Sequence, residues 1–156
     1  SQDLFYWYQQ LVAESLGKKS QGILPLISMM PKDNHSLMQL YLDGPKNNFF
    51  TFFRVEEKSS NKINKKNLKN NFSYLTNKTT NDILKAQFEA TQNVFKKKKI
   101  PFRSFIIKRR DEKTLGELFC FFILEVIMLG KALKINPFNQ PQVELIKKET
   151  YKILKN

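Results

Sequence analysis

The sequence predicts an α/β fold, a three-layer αβα sandwich with a mainly parallel sheet. Three observations carry that expectation. FFTFFRV at residues 49–55 and PFRSFIIK at residues 101–108 are short, aromatic- and β-branched-rich runs of strand length. They alternate with segments whose apolar residues recur at helical spacing. The first run is apolar on both faces, as a strand covered on both sides would be.

The elements follow in order. Residues 4–16 carry a helical stripe of Leu4, Trp7, Tyr8, Leu11, Val12 and Leu16 that stops near Gly17. GILPLIS at 22–28 reads as a short buried strand, with Pro25 marking an edge or a strand end. Pro31, Asp33 and Asn34 form a turn and a helix start, and residues 35–42 a short helix closed by Asp43 and Gly44. After the first strand, residues 57–72 are crowded with Lys and Asn and read as a polar surface loop. Ile83, Leu84, Phe88, Thr91 and Phe95 repeat at helical spacing, and the lysines at 96–99 complement the carbonyls of that helix's last turn. After the second strand, Thr114 and Glu117 have the spacing of a capping box, opening a long helix to about Leu133. That helix is apolar almost all round, which calls for burial against the sheet on one side and against a helix or subunit on the other. NPFNQ at 136–140 is a loop, and residues 143–154 form a last helix.

Composition narrows the function. The 156 residues carry 27 Lys and Arg against 14 Asp and Glu, a net charge of +13, with 41% hydrophobic residues. Of the basic residues only 4 are Arg, whereas surfaces that read nucleic acids lean on Arg for bidentate contacts. The lysines fall in a loop and at a helix end, so neither a nucleic-acid partner nor a membrane is expected. The run at 118–129 is broken by Glu125 and is too short for a membrane span. A single cysteine, Cys120, excludes an internal disulfide framework and makes a cytoplasmic setting the default. A single histidine excludes multi-histidine metal sites. GKKS at 17–20 lacks the earlier glycine of a phosphate loop, whose place is held by Val12. The chain opens on Ser1, so further sequence upstream is expected.

Three polar residues stand out. Glu14 lies seven residues after Trp7, at the rim of the apolar stripe, where local sequence alone favours an ordinary surface carboxylate at a helix end. His35 opens a short helix, as a cap or exposed residue also would. Lys147 points about 40° from Val143, toward the apolar side of the last helix, whereas Lys148, Lys152 and Lys155 cluster opposite. An inward lysine needs an anion, either a carboxylate or a bound substrate.

Taken in order, the segments resemble the glucose-6-phosphate isomerase family, specifically the carboxy-terminal part of its bacterial type. WYQQLVAESLGKKSQGILPL at 7–26 resembles the family segment in which a catalytic Glu precedes S-x-G-K. DNHSLMQLYLDGP at 33–45 resembles its D-x-H-S segment, and Ala90 with Thr91 resembles the A-T pair of a family helix. The block F-N-Q-x-x-V-E-x-x-K at 138–147 is the most specific match. The chain departs from the family at Gln142 and Ile146, where smaller or polar residues are common.

The resemblance implies a sugar-isomerase (SIS) subdomain with a C-terminal helical tail, and an N-terminal subdomain lying outside these residues. It implies an aldose–ketose isomerase interconverting glucose 6-phosphate and fructose 6-phosphate through a cis-enediol, in glycolysis and gluconeogenesis. By resemblance Glu14 is the base, expected to be tuned by burial beside Trp7 and Leu11. His35 and Lys147 match the ring-opening positions, and Gln140 a substrate-binding one. A homodimer with His35 contributed across the interface is implied, and no cofactor or metal. The isolated chain is then expected to be inactive. The alternative is a non-catalytic module that binds a sugar phosphate and regulates another protein.

Overall fold

The computed structural model describes residues 2–56, 61–64 and 69–155. Helices α1 (Gln2–Leu16), α2 (Asp33–Ser36) and α3 (Met38–Asp43) precede strand β1 (Phe50–Val55). A 3₁₀ turn (Asn70–Leu75), α4 (Thr80–Lys97), β2 (Phe102–Ile107), α5 (Glu112–Ala132) and α6 (Pro141–Lys155) follow. The chain divides into two compact units, one of residues 28–114 and one joining residues 2–27 to 115–155.

The continuous unit is the α/β part. β1 and β2 pair in parallel, with Phe50 opposite Phe102 and Val55 opposite Ile107. The helix between them supplies the crossover that a parallel pair needs. Strand alternation puts Phe50, Phe52, Phe102 and Ser104 on one face, and α4 covers it. Phe95, fully buried near the end of α4, meets the rings of Phe50, Phe52 and Phe102 edge-on at 4.9, 5.1 and 6.1 Å. Gln92 of α4 donates to Ser104 Oγ at 2.8 Å. On the other face Phe53 and Phe105 stack at 4.9 Å, and Arg103 donates to Thr51 Oγ1 at 3.0 Å.

α4 starts at a reciprocal cap. Thr79 Oγ1 accepts from the Asp82 amide at 3.1 Å, and the Asp82 carboxylate accepts from the Thr79 amide at 2.8 Å. Those bonds, first the backbone one and then that of the Thr79 hydroxyl, hold the Asp82 carboxyl below the usual carboxylate range.

The discontinuous unit is helical. Val12 and Leu16 of α1, Val126 of α5 and Ile135 beyond it form its core, with Tyr8, Leu11, Leu129 and Leu133 packed around. One face of α1 thus lies on one face of α5. Tyr8 and Phe122 meet at 4.4 Å, Trp7 and Phe119 edge-on at 4.5 Å, and the Tyr8 hydroxyl donates to Glu125 at 3.0 Å. Within this unit α5 keeps an exposed apolar stripe, Met128 being 70% exposed.

Three local expectations are corrected. Residues 22–28 form no strand, and Ile23, Leu24 and Leu26 are 54, 62 and 75% exposed. Pro25 offers no amide to a sheet, and its carbonyl instead accepts from Gln9 of α1. α5 begins at Glu112, before Thr114. Asp111 caps it, its carboxylate accepting from the Thr114 amide at 2.8 Å. That bond and the Thr114 hydroxyl hold the Asp111 carboxyl below its usual range, the hydroxyl contributing more. Of the polar loop expected at 57–72, residues 57–60 and 65–68 lie outside the described residues, and the 3₁₀ turn occupies its end.

Candidate active site

Glu14 occupies the last turn of α1, between buried Val12 on one side and buried Ser15 and Leu16 on the other. The helical face that seals the core against α5 therefore fixes where the Glu14 backbone sits. The carboxylate itself is exposed, so the expected burial beside Trp7 and Leu11 is not what the fold provides. Instead, hydrogen bonds define its position. Oε1 accepts from Gln10 Nε2 at 2.8 Å, one helical turn back, and Oε2 accepts from Gln140 Nε2 at 2.9 Å, 126 residues away.

The loop that delivers Gln140 is built in steps from the end of α5. Lys134 adopts a left-handed conformation (φ 55°). The Ile135 amide then reaches back to the Gly130 carbonyl at 2.9 Å, closing the helix and seating Ile135 in the core. Pro137 packs on Gly130 so closely that an added Cβ would meet its ring at 3.1 Å and push it aside. Asn136 Oδ1 accepts from the Phe138 amide at 2.9 Å, turning the chain toward Gln140.

Beyond α1 the chain makes an equally tight turn. Lys18 and Gln21 exchange two backbone hydrogen bonds of 3.0 and 2.9 Å around Lys19 and Ser20, both left-handed. Gly22 (φ 147°) follows, with Gly17 so near that a Cβ would meet its Cα at 3.0 Å. The Lys18 ammonium leaves this turn to donate to Ser15 O at 2.9 Å and to Asn136 O at 2.7 Å. Burial lowers the Lys18 pKa from the ordinary lysine value. The turn and the loop line a cleft of about 780 Å³, with Lys19, Gln21, Asn139 and Gln142 in its wall.

Lys147 does not face inward. It lies on α6, which has no buried residue, and its side chain is 66% exposed, with its ammonium 2.7 Å from Glu144 one turn earlier. The anion that an inward lysine would need is supplied locally by the helix's own carboxylate. Val143, the reference for the expected inner face, is itself 43% exposed.

His35 belongs to the other unit, exposed in the short helix α2. Its neighbour Asp33 organises that turn, accepting from the Met29 amide at 2.6 Å and from Ser36 Oγ at 3.0 Å. Those bonds, the backbone one most, hold the Asp33 carboxyl below its usual range, with Lys32 adding to the effect.

Glu14 and Gln140 are thus brought into contact, and Lys147 lies six residues into the helix that starts directly after Gln140. Sequence reasoning gave Lys18 no role of its own: it was met only as part of a failed phosphate-loop match and of the S-x-G-K segment. Among the described residues no group of three or more His, Cys, Asp or Glu is placed to hold a metal ion. No helix among them is long and apolar enough to cross a membrane.

No family model matches the chain. It is 42% identical over 154 residues to the glucose-6-phosphate isomerase of Mycoplasmopsis pulmonis, covering 97% of this chain and 36% of that protein. The enzyme of the same name from Methanocaldococcus jannaschii is 34% identical over 96% of this chain and 37% of its own length. The chain therefore spans about a third of the length of the curated relatives it matches. A crystal structure of a hypothetical protein from Thermus thermophilus superimposes with a TM-score of 0.85 at 29% identity, over 97% of this chain and 38% of that one.

Proposed function

We propose, from the premise that this chain belongs to the glucose-6-phosphate isomerase family, that it is the C-terminal part of an enzyme interconverting glucose 6-phosphate and fructose 6-phosphate. In this reading residues 1–156 are the second sugar-isomerase subdomain with its helical tail, and the N-terminal subdomain is supplied by the rest of the enzyme. The observation that carries the reading is the Glu14–Gln140 contact, which gives a carboxylate at a helix end a fixed direction.

Moving a carbonyl from C1 to C2 requires moving one proton the other way. Glu14 takes the proton from C2 of the open aldose. The C2 electron pair forms the C1–C2 double bond, and O1 takes up a proton, giving a cis-enediol. Loss of the O2 proton then forms the C2 carbonyl as C1 takes its proton back from Glu14. One base serves both carbons because they are neighbours on one face of the substrate. His35 and Lys147 open the sugar ring by proton transfer at the ring oxygen, and Lys147 stabilises negative charge on oxygen. Gln140 orients Glu14 and contacts the substrate. The working enzyme is a cytoplasmic homodimer in which His35 reaches the partner's site, acting in glycolysis and gluconeogenesis without a cofactor. Neither nucleic acid nor a membrane is a partner.

A coupled assay of fructose 6-phosphate conversion, run on the full-length enzyme, tests this. Glu14→Gln is expected to lower kcat about a thousandfold with little change in sugar-phosphate affinity. A well-folded parent that binds the sugar phosphate without converting it would replace the isomerase with a regulatory sugar-phosphate module.

A further inference from the structure

We infer that Lys18 is a positioning residue that holds the loop of residues 135–140 against the end of α1, so that Gln140 meets Glu14. The inference rests on the reading of Glu14 as the base. Three features of the turn support it.

The first is reach. Lys18 is the side chain that ties the C-terminal end of α1 to residue 136 through two carbonyls, Ser15 O at 2.9 Å and Asn136 O at 2.7 Å. Ser15 adjoins Glu14 in sequence, and Asn136 lies four residues before Gln140. The ammonium therefore bridges the two segments whose side chains meet in the Glu14–Gln140 contact.

The second is preorganisation. The Lys18 backbone is held on both sides, its amide donating to Leu16 O at 2.9 Å and to Gln21 O at 3.0 Å, while its carbonyl accepts from Gln21 at 2.9 Å. Lys19 and Ser20 adopt φ of 53 and 57°, a conformation uncommon for non-glycine residues and here closed by the paired Lys18–Gln21 backbone bonds. A lysine on so fixed a base loses less freedom in bridging than one on a mobile loop.

The third is the state of the far end. Asn136 presents its carbonyl to Lys18 while its side chain accepts from the Phe138 amide at 2.9 Å. Pulling Asn136 toward α1 therefore sets the direction in which the chain continues to Gln140. A base must sit within about 0.5 Å of its working place, so loosening this bridge acts on rate.

The test uses the full-length enzyme with Lys18→Met, which keeps the stem and removes the donor, Lys18→Arg, which restores donors, Gln140→Ala, and the double variant Lys18→Met/Gln140→Ala. Lys18→Met is expected to lower kcat about tenfold with KM within about twofold, and Lys18→Arg to recover most of the loss. If Lys18 acts through Gln140, adding Lys18→Met to Gln140→Ala costs little more, whereas losses that multiply would overturn the inference. Unchanged kcat in Lys18→Met would overturn it as well. Hydrogen exchange gives a readout independent of turnover: the Phe138 amide is expected to lose protection in Lys18→Met while the α5 amides around Val126, in the same unit, keep theirs. If the variant folds poorly, those α5 amides lose protection too, and the comparison moves to Lys18→Gln. Phe138 protection that survives there would also refute the bridge. Glu14→Gln in the same panel separates the two claims: parental turnover in it removes Glu14 as the base and with it the premise of this inference, and loss in it with unchanged Lys18→Met removes only the positioning role.

Discussion

Each of the two compact units is stabilised internally, and by different means. In residues 28–114, aromatic rings from α4 and both strands close around Phe95, and α4 is capped by residues three apart in sequence. In the helical unit the packing between α1 and α5 is extended by polar bridges between distant residues. Glu14 meets Gln140 across 126 positions and Lys18 meets Asn136 across 118. The α/β unit is a scaffold fixed by burial. In the helical unit burial sets the backbone, and directional hydrogen bonds aim the side chains. The base role proposed for Glu14 would need the second kind of support, because packing fixes a helix but leaves an exposed carboxylate free to choose its rotamer.

That contrast can be broken or sharpened by substitution, beginning with the largest effect. Phe95→Ala removes the side chain at the centre of the ring cluster and is expected to cost about 3–5 kcal/mol by denaturant unfolding. A loss below about 1 kcal/mol would mean that burial does not hold the α/β unit. Leu16→Ala tests the buried half of the helical unit, with an expected cost of about 2–5 kcal/mol. Lys147→Ala separates function from stability. Its exposed pair with Glu144 contributes less than about 1 kcal/mol, so melting should barely move, while the proposed role at the ring oxygen predicts a kcat loss of about a hundredfold.

Asp82 gives a pH dependence of known sign. Its folded pKa is depressed, so its contribution to stability is present above the unfolded value near about pH 4 and is lost as pH falls through the folded pKa. Melting curves of the parent and Asp82→Asn should therefore differ at neutral pH and converge in acid. The smallest effect is expected at Leu154, which is 81% exposed on α6: Leu154→Ala should stay within about 0.5 kcal/mol when this chain is unfolded by itself.

What could be read in the sequence divides along the same line. α4, β1 and β2 were legible because their signals are local: a helical period ending in lysines, and two runs of strand length. The α/β class and the parallel pairing followed from their alternation. Thr79 with Asp82 and Asp111 with Thr114 are cap signals within four residues of sequence that went unread, the second because Thr114 and Glu117 offered the same spacing. Lys147 shows the limit of periodicity. Its angle from Val143 was sound geometry, but an amphipathic pattern states which side of a helix is apolar and not what covers it, and on α6 both sides are exposed. Residues 22–28 failed for a related reason, since an apolar run needs a neighbouring strand and Pro25 instead gives its carbonyl to Gln9. Glu14 and Gln140 could be singled out only through family resemblance. Their contact joins chain ends that nothing in local spacing brings together.

The most direct test of the account follows the proton. In deuterated water the full-length enzyme should place deuterium at C2 of glucose 6-phosphate and at C1 of fructose 6-phosphate, because a base that lifts a proton exchanges it with solvent before returning it. Glu14→Gln should stop that incorporation while sugar-phosphate binding stays within a few-fold of the parent. Continued incorporation by Glu14→Gln would put the base elsewhere and reduce the Glu14–Gln140 contact to a surface hydrogen bond.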